Sequence, residues 1–183
     1  MIKPNKYYQE QFAHLPTKEM FDTIYQIAKE ANYKEACEIG VAWAISTLAI
    51  LSAGIGHLTS IDRSWYPNTV NQVAEYGFVD RWTYLQYNSA YYLKHINPEK
   101  KFDLICIDGS HKYDDVLADL VYAIDRLERN GIMIIDDIDH PKNFIEDPDE
   151  AYGVRRATME IVEKYKFKIT IYKAANGIAV LKR

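Results

Sequence analysis

Glu38-Ile39-Gly40-Val41-Ala42-Trp43-Ala44-Ile45-Ser46-Thr47 joins the end of one apolar run, through a glycine, to the start of another. The first run, Glu35 to Ile39, has the length of a strand; the second, Ala44 to Ala53, is long enough for a helix and stops near Gly54 and Gly56. Beyond it His57 to Ile61 reads as another strand, ending at Asp62. Strand, glycine turn, helix and strand make a β-α-β unit, and the turn points backbone N–H groups at whatever lies above the first strand. A carboxylate at the tip of the next strand can accept both hydroxyls of a ribose, so Gly40 and Asp62 together describe a nucleoside pocket. Taken singly, Gly40 also suits any tight turn and Asp62 any helix start.

The alternation continues on both sides of this unit. Upstream, Met20, Phe21, Ile24, Ile27, Ala28 and Ala31 recur at helical spacing, which predicts an amphipathic helix over Lys18 to Ala31 with Thr17 as its N-cap. Downstream, Asn68 to Tyr76, Ala90 to His95, Asp115 to Glu128 and Val154 to Lys164 read as helices. Thr83 to Gln86, Asp103 to Ile107 and Gly131 to Ile135 read as strands, and Lys168 to Tyr172 and Ile178 to Leu181 as a hairpin across Asn176-Gly177. Strands such as Leu104-Ile105-Cys106-Ile107 are apolar throughout rather than alternating, which implies a parallel sheet covered on both faces. The expected fold is doubly wound α/β, a mainly parallel seven-stranded sheet closed by an antiparallel C-terminal hairpin. In such sheets the ligand crevice lies at the carboxyl ends of the strands.

With 183 residues the chain reads as one domain, with residues 1–16 as an N-terminal arm. Hydrophobic residues make up 48% and charged residues 26%, the composition of a globular protein and too rich in core formers for disorder. A formal charge of -4 offers no general attraction for a polyanion, so no nucleic-acid partner is expected. The longest apolar stretch, Ala42 to Ile55, is broken by Ser46, Thr47 and Ser52, and Met1 to Gln11 lacks the apolar core of a signal peptide. No membrane association is expected, and a cytoplasmic location is. Cys37 and Cys106 sit inside apolar runs as reduced, buried residues, and two cysteines without suitably spaced histidines cannot close a zinc site.

The candidate chemistry lies at the strand tips. Asp108 ends one strand and Asp136 and Asp137 the next, so three carboxylates can converge on one point of the crevice, where they repel unless protons or a cation intervene. Mg²⁺ or a similar divalent ion suits such a set, since it takes oxygen ligands and leaves positions for substrate hydroxyls, which then ionise more readily. Solvated acids capping a loop are the plainer alternative. His111, three residues after Asp108 and expected to pair with it, is the candidate general base, so His111 and Asp108 are the candidate catalytic residues, with His140 as a second histidine. Asp139 to Tyr152 is a long polar stretch beyond the acidic tip, the form of an active-site loop. Arg155 and Arg156 follow it, as groups for an acidic partner or as exposed helix charge, and Trp43 and Trp65 lie next to the loops of the nucleoside pocket.

These motifs resemble those of the class I S-adenosylmethionine-dependent methyltransferases. The family pattern Glu-x-Gly-x-x-x-Gly-x-Ser-Thr appears as Glu38, Gly40, Ala44, Ser46 and Thr47, with Ala44 in place of the second glycine. Phe102 to Tyr113, Gly131 to Asp137 and Gly153 to Ala157 are similar to the small-molecule O-methyltransferases related to macrocin O-methyltransferase and the cephalosporin hydroxylase group. The likeness runs from about Glu35 to Leu181. It implies an O-methyltransferase of a small hydroxylated molecule, S-adenosylmethionine held by the Glu38 to Thr47 loop and Asp108, Asp62 on the ribose, Asn88 and Ser89 beside the adenine, and His111 in the position of a catalytic histidine. It also leaves room for a homo-oligomer. A cofactor-binding relative without turnover, and a nicotinamide-dependent oxidoreductase, are the competing readings; the second is weakened because Gly40-x-x-x-Ala44 is not Gly-x-Gly-x-x-Gly.

Overall fold

The computed structural model describes residues 17–30, 33–145 and 152–183. The expected N-terminal arm, Ala31 and residues 146–151 of the expected active-site loop lie outside the described residues. Seven strands form one sheet: β1 (Glu35–Ile39), β2 (His57–Asp62), β3 (Trp82–Gln86), β4 (Phe102–Ile107), β5 (Leu127–Ile135), β6 (Lys168–Tyr172) and β7 (Ile178–Lys182). Their order across the sheet is β3-β2-β1-β4-β5-β7-β6. The first five run parallel to one another, and β7 runs antiparallel to both β5 and β6. The six α-helices among the described residues are α1 (Thr17–Lys29), α2 (Ile45–Ser52), α3 (Pro67–Glu75), α4 (Ser89–His95), α5 (Tyr113–Arg126) and α6 (Val154–Tyr165).

The continuous apolar strands have a direct structural cause. Ala36, Leu58, Leu104, Cys106, Ile132 and Ile134 face one side of the sheet, where Met20, Ile24, Leu48 and Leu51 of α1 and α2 cover them. Cys37, Ile39, Ile61, Ile105, Ile107, Met133 and Ile135 face the other, under Leu93, Leu120, Ala123, Ala157 and Ile161 of α4, α5 and α6. Both pleat surfaces of the central strands are therefore core, and most residues of β1, β2, β4 and β7 stay out of water whichever way they point.

The order reverses between β1 and β4, so the strand tips there open a crevice. Element boundaries differ from the sequence reading at one informative place. The helix expected over Asp115 to Glu128 runs from Tyr113 to Arg126, and β5 starts at Leu127 rather than Gly131. Leu127 pairs with Phe102 on β4 and is buried, a long-range contact that overrides the local helical pattern. The C-terminal hairpin is also wider than a two-residue turn, since Tyr172 pairs with Ile178 across the loop Lys173 to Gly177.

Candidate active site

The turn after β1 is built around Gly40. Its φ is +84°, and a Cβ there would meet the Asp108 carbonyl oxygen at 1.9 Å, so only glycine lets the tips of β1 and β4 close on each other. The N–H of Asp108 donates to the Ile39 carbonyl at 2.8 Å, and that of Gly40 to the Ile61 carbonyl at 2.9 Å, tying the three tips together. Ala42 and Ala44 both take positive φ, 35° and 62°, and Ala44, in the place of the family's second glycine, is fully buried at the start of α2. Asp62 lies beside this turn: Oδ2 accepts from the Val41 N–H at 2.8 Å and Oδ1 from the Ser64 N–H at 2.9 Å. Each carboxylate oxygen has a second lone pair, which leaves Asp62 able to accept further bonds from a diol.

Glu38, Ser46 and Thr47 lie beneath this turn, fully or almost fully buried. The Glu38 carboxyl accepts from Ser46 Oγ at 2.6 Å, Thr47 Oγ1 at 2.8 Å and Ser60 Oγ at 2.5 Å, and Trp82 Nε1 donates to that Ser60 oxygen at 2.9 Å. Burial pushes the Glu38 carboxyl up to about 7 even against three hydroxyl donors. These side chains spend their hydrogen bonds on one another and brace the turn from below.

On the other side of the switch point, Asp108, Asp136 and His111 line one small cavity over Ile107, Ile135 and Val116. Burial, then the neighbouring Asp136 and Asp137 carboxylates, hold the Asp108 carboxyl well above its ordinary range. Asp136 is pushed up to about 7 by burial and by Asp137, and its Oδ1 is a buried oxygen with no hydrogen-bond partner among the described residues. Asp137 behaves oppositely. Burial works to raise it, but hydrogen bonds from His111 and Asn176 outweigh that and hold it below the usual carboxylate range. His111 Nε2 lies 2.7 Å from Asp137 Oδ2, and Asn176 Nδ2 donates to Oδ1 at 2.8 Å. Among the described residues, no group of three His, Cys, Asp or Glu side chains is arranged to hold a metal ion.

The structure thus brings together His111 and Asp137, and Asp108 and Asp136, as two neighbouring pairs. Asn176 was legible in the sequence only as half of a hairpin turn; no local signal pointed to its hydrogen bond with Asp137. Tyr152 is a second unforeseen member, its ring stacked on His111 (centroids 4.2 Å apart, planes 5° apart) and on His140 (4.5 Å). His140 Nδ1 accepts from the Lys142 N–H at 3.1 Å in the turn Pro141–Phe144. Arg155 pairs with Asp139, and Arg156 lies over the Tyr113 ring at 4.1 Å. Asn88 and Ser89 sit beyond β3, where Asn88 Oδ1 caps α4 by accepting from the Tyr91 N–H at 2.8 Å and Ser89 Oγ donates to buried Asp119 at 2.6 Å. Trp43 and Trp65 are each about half exposed, at 50% and 49%, and Trp65 stacks on Tyr84 at 4.6 Å.

Comparison with known proteins agrees with this fold. Residues 37–138 match the family model described as a methyltransferase domain. No curated protein sequence matches the chain. Among solved structures, the O-methyltransferase from Bacillus cereus in complex with S-adenosylhomocysteine superimposes with a TM-score of 0.76 at 16% identity, covering 100% of this chain and 94% of that one. The O-methyltransferase TomG from Streptomyces achromogenes, in complex with S-adenosylmethionine, gives 0.74 at 18% identity over 89% of this chain and 78% of that one. The S-adenosylhomocysteine-bound Podospora anserina methyltransferase PaMTH1 gives 0.71 at 17% identity, over 89% and 77%. With a family match over more than half its length and a seven-stranded sheet of this order, the chain belongs to the methyltransferase-domain family and has the fold of the class I S-adenosylmethionine-dependent enzymes.

Proposed function

We propose that the protein is an O-methyltransferase that transfers the methyl group of S-adenosylmethionine to a hydroxyl of a small molecule, with His111 as the base. The observation that carries the reading is the contact of 2.7 Å between His111 Nε2 and Asp137 Oδ2, beside the cavity shared with Asp108 and Asp136. Asp137 is held ionised, so a neutral imidazole donates its Nε2–H to it and keeps the lone pair on Nδ1. That nitrogen is then free to take the proton of an acceptor hydroxyl, and Asp137 steadies the imidazolium that results. Gly40, Asp62 and the backbone around them supply the cofactor side of the crevice, braced by Glu38, Ser46 and Thr47; Asn88, Ser89 and Asp108 border it. S-adenosylmethionine, when bound, supplies an already activated methyl group, so the chain's own work is to align the acceptor and remove its proton.

Asp108 and Asp136 suit a divalent cation. Burial and the Asp136 carboxylate raise the proton affinity of Asp108, burial and Asp137 that of Asp136, Asp136 carries a buried oxygen with no donor among the described residues, and Mg²⁺ is commonly held by one or two carboxylates with several waters retained. Such an ion would favour the ionised acceptor oxygen. Asp137 is the third oxygen donor of this set on the sequence reading; both of its oxygens are engaged by His111 and Asn176. TomG is involved in tomaymycin synthesis, which supports a small-molecule acceptor here too. Buried free Cys37 and Cys106 suit a reducing, cytoplasmic compartment.

The test is methyl transfer from labelled S-adenosylmethionine to a panel of small hydroxylated acceptors, with calorimetric measurement of cofactor binding. His111→Ala should slow transfer by roughly 10²-fold or more, and chelation should lower wild-type turnover until Mg²⁺ is returned. Turnover of His111→Ala within threefold of wild type would remove the base assignment. Absence of S-adenosylmethionine binding at millimolar ligand would turn the reading to a relative without turnover.

A further inference from the structure

The C-terminal hairpin is remote from the cofactor turn, yet its tip reaches the acidic end of β5. Asp137 has φ +58°, a left-handed conformation that Asp tolerates better than most residues with a Cβ, and several contacts hold it there. Three contacts from the hairpin do so: Asn176 Nδ2 donates to Asp137 Oδ1 at 2.8 Å, the Asp139 N–H donates to the Asn176 carbonyl at 2.7 Å, and the Ile138 N–H to the Gly177 carbonyl at 3.1 Å. Gly177 is needed for this approach, because a Cβ on it would come within 2.7 Å of Asp139 Cβ and 2.9 Å of the Asp139 nitrogen. From the opposite side Asn143 Nδ2 donates to the Asp137 carbonyl at 2.7 Å.

The two oxygens of Asp137 therefore have separate tasks: Oδ1 is anchored by Asn176, and Oδ2 meets His111 Nε2. Without the Asn176 amide, rotation about the side chain is free to swing Oδ2 away from the imidazole. We propose that Asn176 is a positioning residue that turns the Asp137 carboxylate toward His111 and so selects the imidazole tautomer with its proton on Nε2, making the hairpin tip part of the active site. This rests on the reading of His111 as the base for its catalytic meaning, though the contact itself does not.

Asn176→Ala isolates the side chain, since both backbone hydrogen bonds of the tip remain. Nitrogen-15 spectra of the imidazoles, with the His111 signals assigned from a His111→Gln sample, should show Nε2 protonated in the wild type and a mixture of both tautomers in Asn176→Ala. With an acceptor in hand, kcat should fall about tenfold while the acceptor KM, S-adenosylmethionine affinity and melting temperature stay near wild type. If Asn176→Ala does not fold, Asn176→Ser, whose donor is too short to span the gap, takes its place. His111 signals identical to wild type in the variant would overturn the proposal, whatever the turnover. Altered signals with unchanged kcat would uphold the positioning and remove the base assignment instead, so the two readings fail separately.

Discussion

Glu38 is a carboxyl with no exposed surface, ringed by Ser46, Thr47 and Ser60. In water its ordinary value is 4.5, and in the fold burial raises it to about 7. Between those two values the unfolded chain has released this proton while the folded chain keeps it, so the group's contribution to stability falls as pH rises through the window and is fully lost above about 7. The size of the loss is on the order of 3 kcal/mol. Glu38→Gln removes this titration and leaves the other buried acids in place. The stability difference between wild type and Glu38→Gln, measured by urea unfolding, should thus shrink or reverse between pH 5 and pH 8 by about that amount. A difference that is the same at both pH values would show that the carboxyl is charged throughout, with the three hydroxyls outweighing burial. The residue was legible in the sequence as part of the turn motif. That it points inward was not, because Ser60 stands opposite it only through the β1–β2 register.

Among the elements, α4 is a helix of 7 residues, too short to persist alone. Its start is capped by Asn88, and its end by a group from another helix. Arg126, the last residue of α5 and buried, donates from Nε to the Leu93 carbonyl at 2.7 Å and from its other nitrogens to Pro98 at 3.2 Å and Lys94 at 3.4 Å. A positive fork at a helix C-terminus meets both the free carbonyls and the dipole. Arg126→Met keeps much of the volume but leaves those carbonyls without donors, so unfolding free energy should drop by about 2–4 kcal/mol, with S-adenosylmethionine affinity unchanged. A loss below about 0.5 kcal/mol would mean that water replaces the fork without cost. The strands themselves were readable from their apolar runs, and β1 and β6 have the bounds the sequence suggests. The end of α5 was not, since only pairing with Phe102 draws Leu127 into β5.

At the scale of the whole molecule the sheet is a layered core, with apolar side chains on both faces of β1, β4 and β5. The edges differ: among the described residues β3 and β6 each lack a neighbour on one side, and most of β6 is exposed. Hydrogen exchange should therefore rank the strands by position, with amides of β1 and β4 exchanging at least about tenfold more slowly than those of β6. Equal protection of β4 and β6 would show that the edge is covered by another chain or by a segment beyond the described residues. The same layering bears on the active site, because Asp108 and Asp136 directly follow β4 and β5, whose last residues are buried.

The order of strands and helices, the doubly wound class, the glycine turn and the three acidic strand tips were all determined by sequence alone, since each depends on local periodicity or on a residue type that one backbone shape requires. Which polar groups meet was decided by tertiary structure. Glu38 faces the core because of pairing between β1 and β2, Asp137 turns to His111 because a hairpin some forty residues later reaches it, and Tyr152 lies between two histidines because the chain returns across the strand tips. Sequence spacing carries information about direction along an element; contacts across a sheet depend on register and closure, which no single stretch contains.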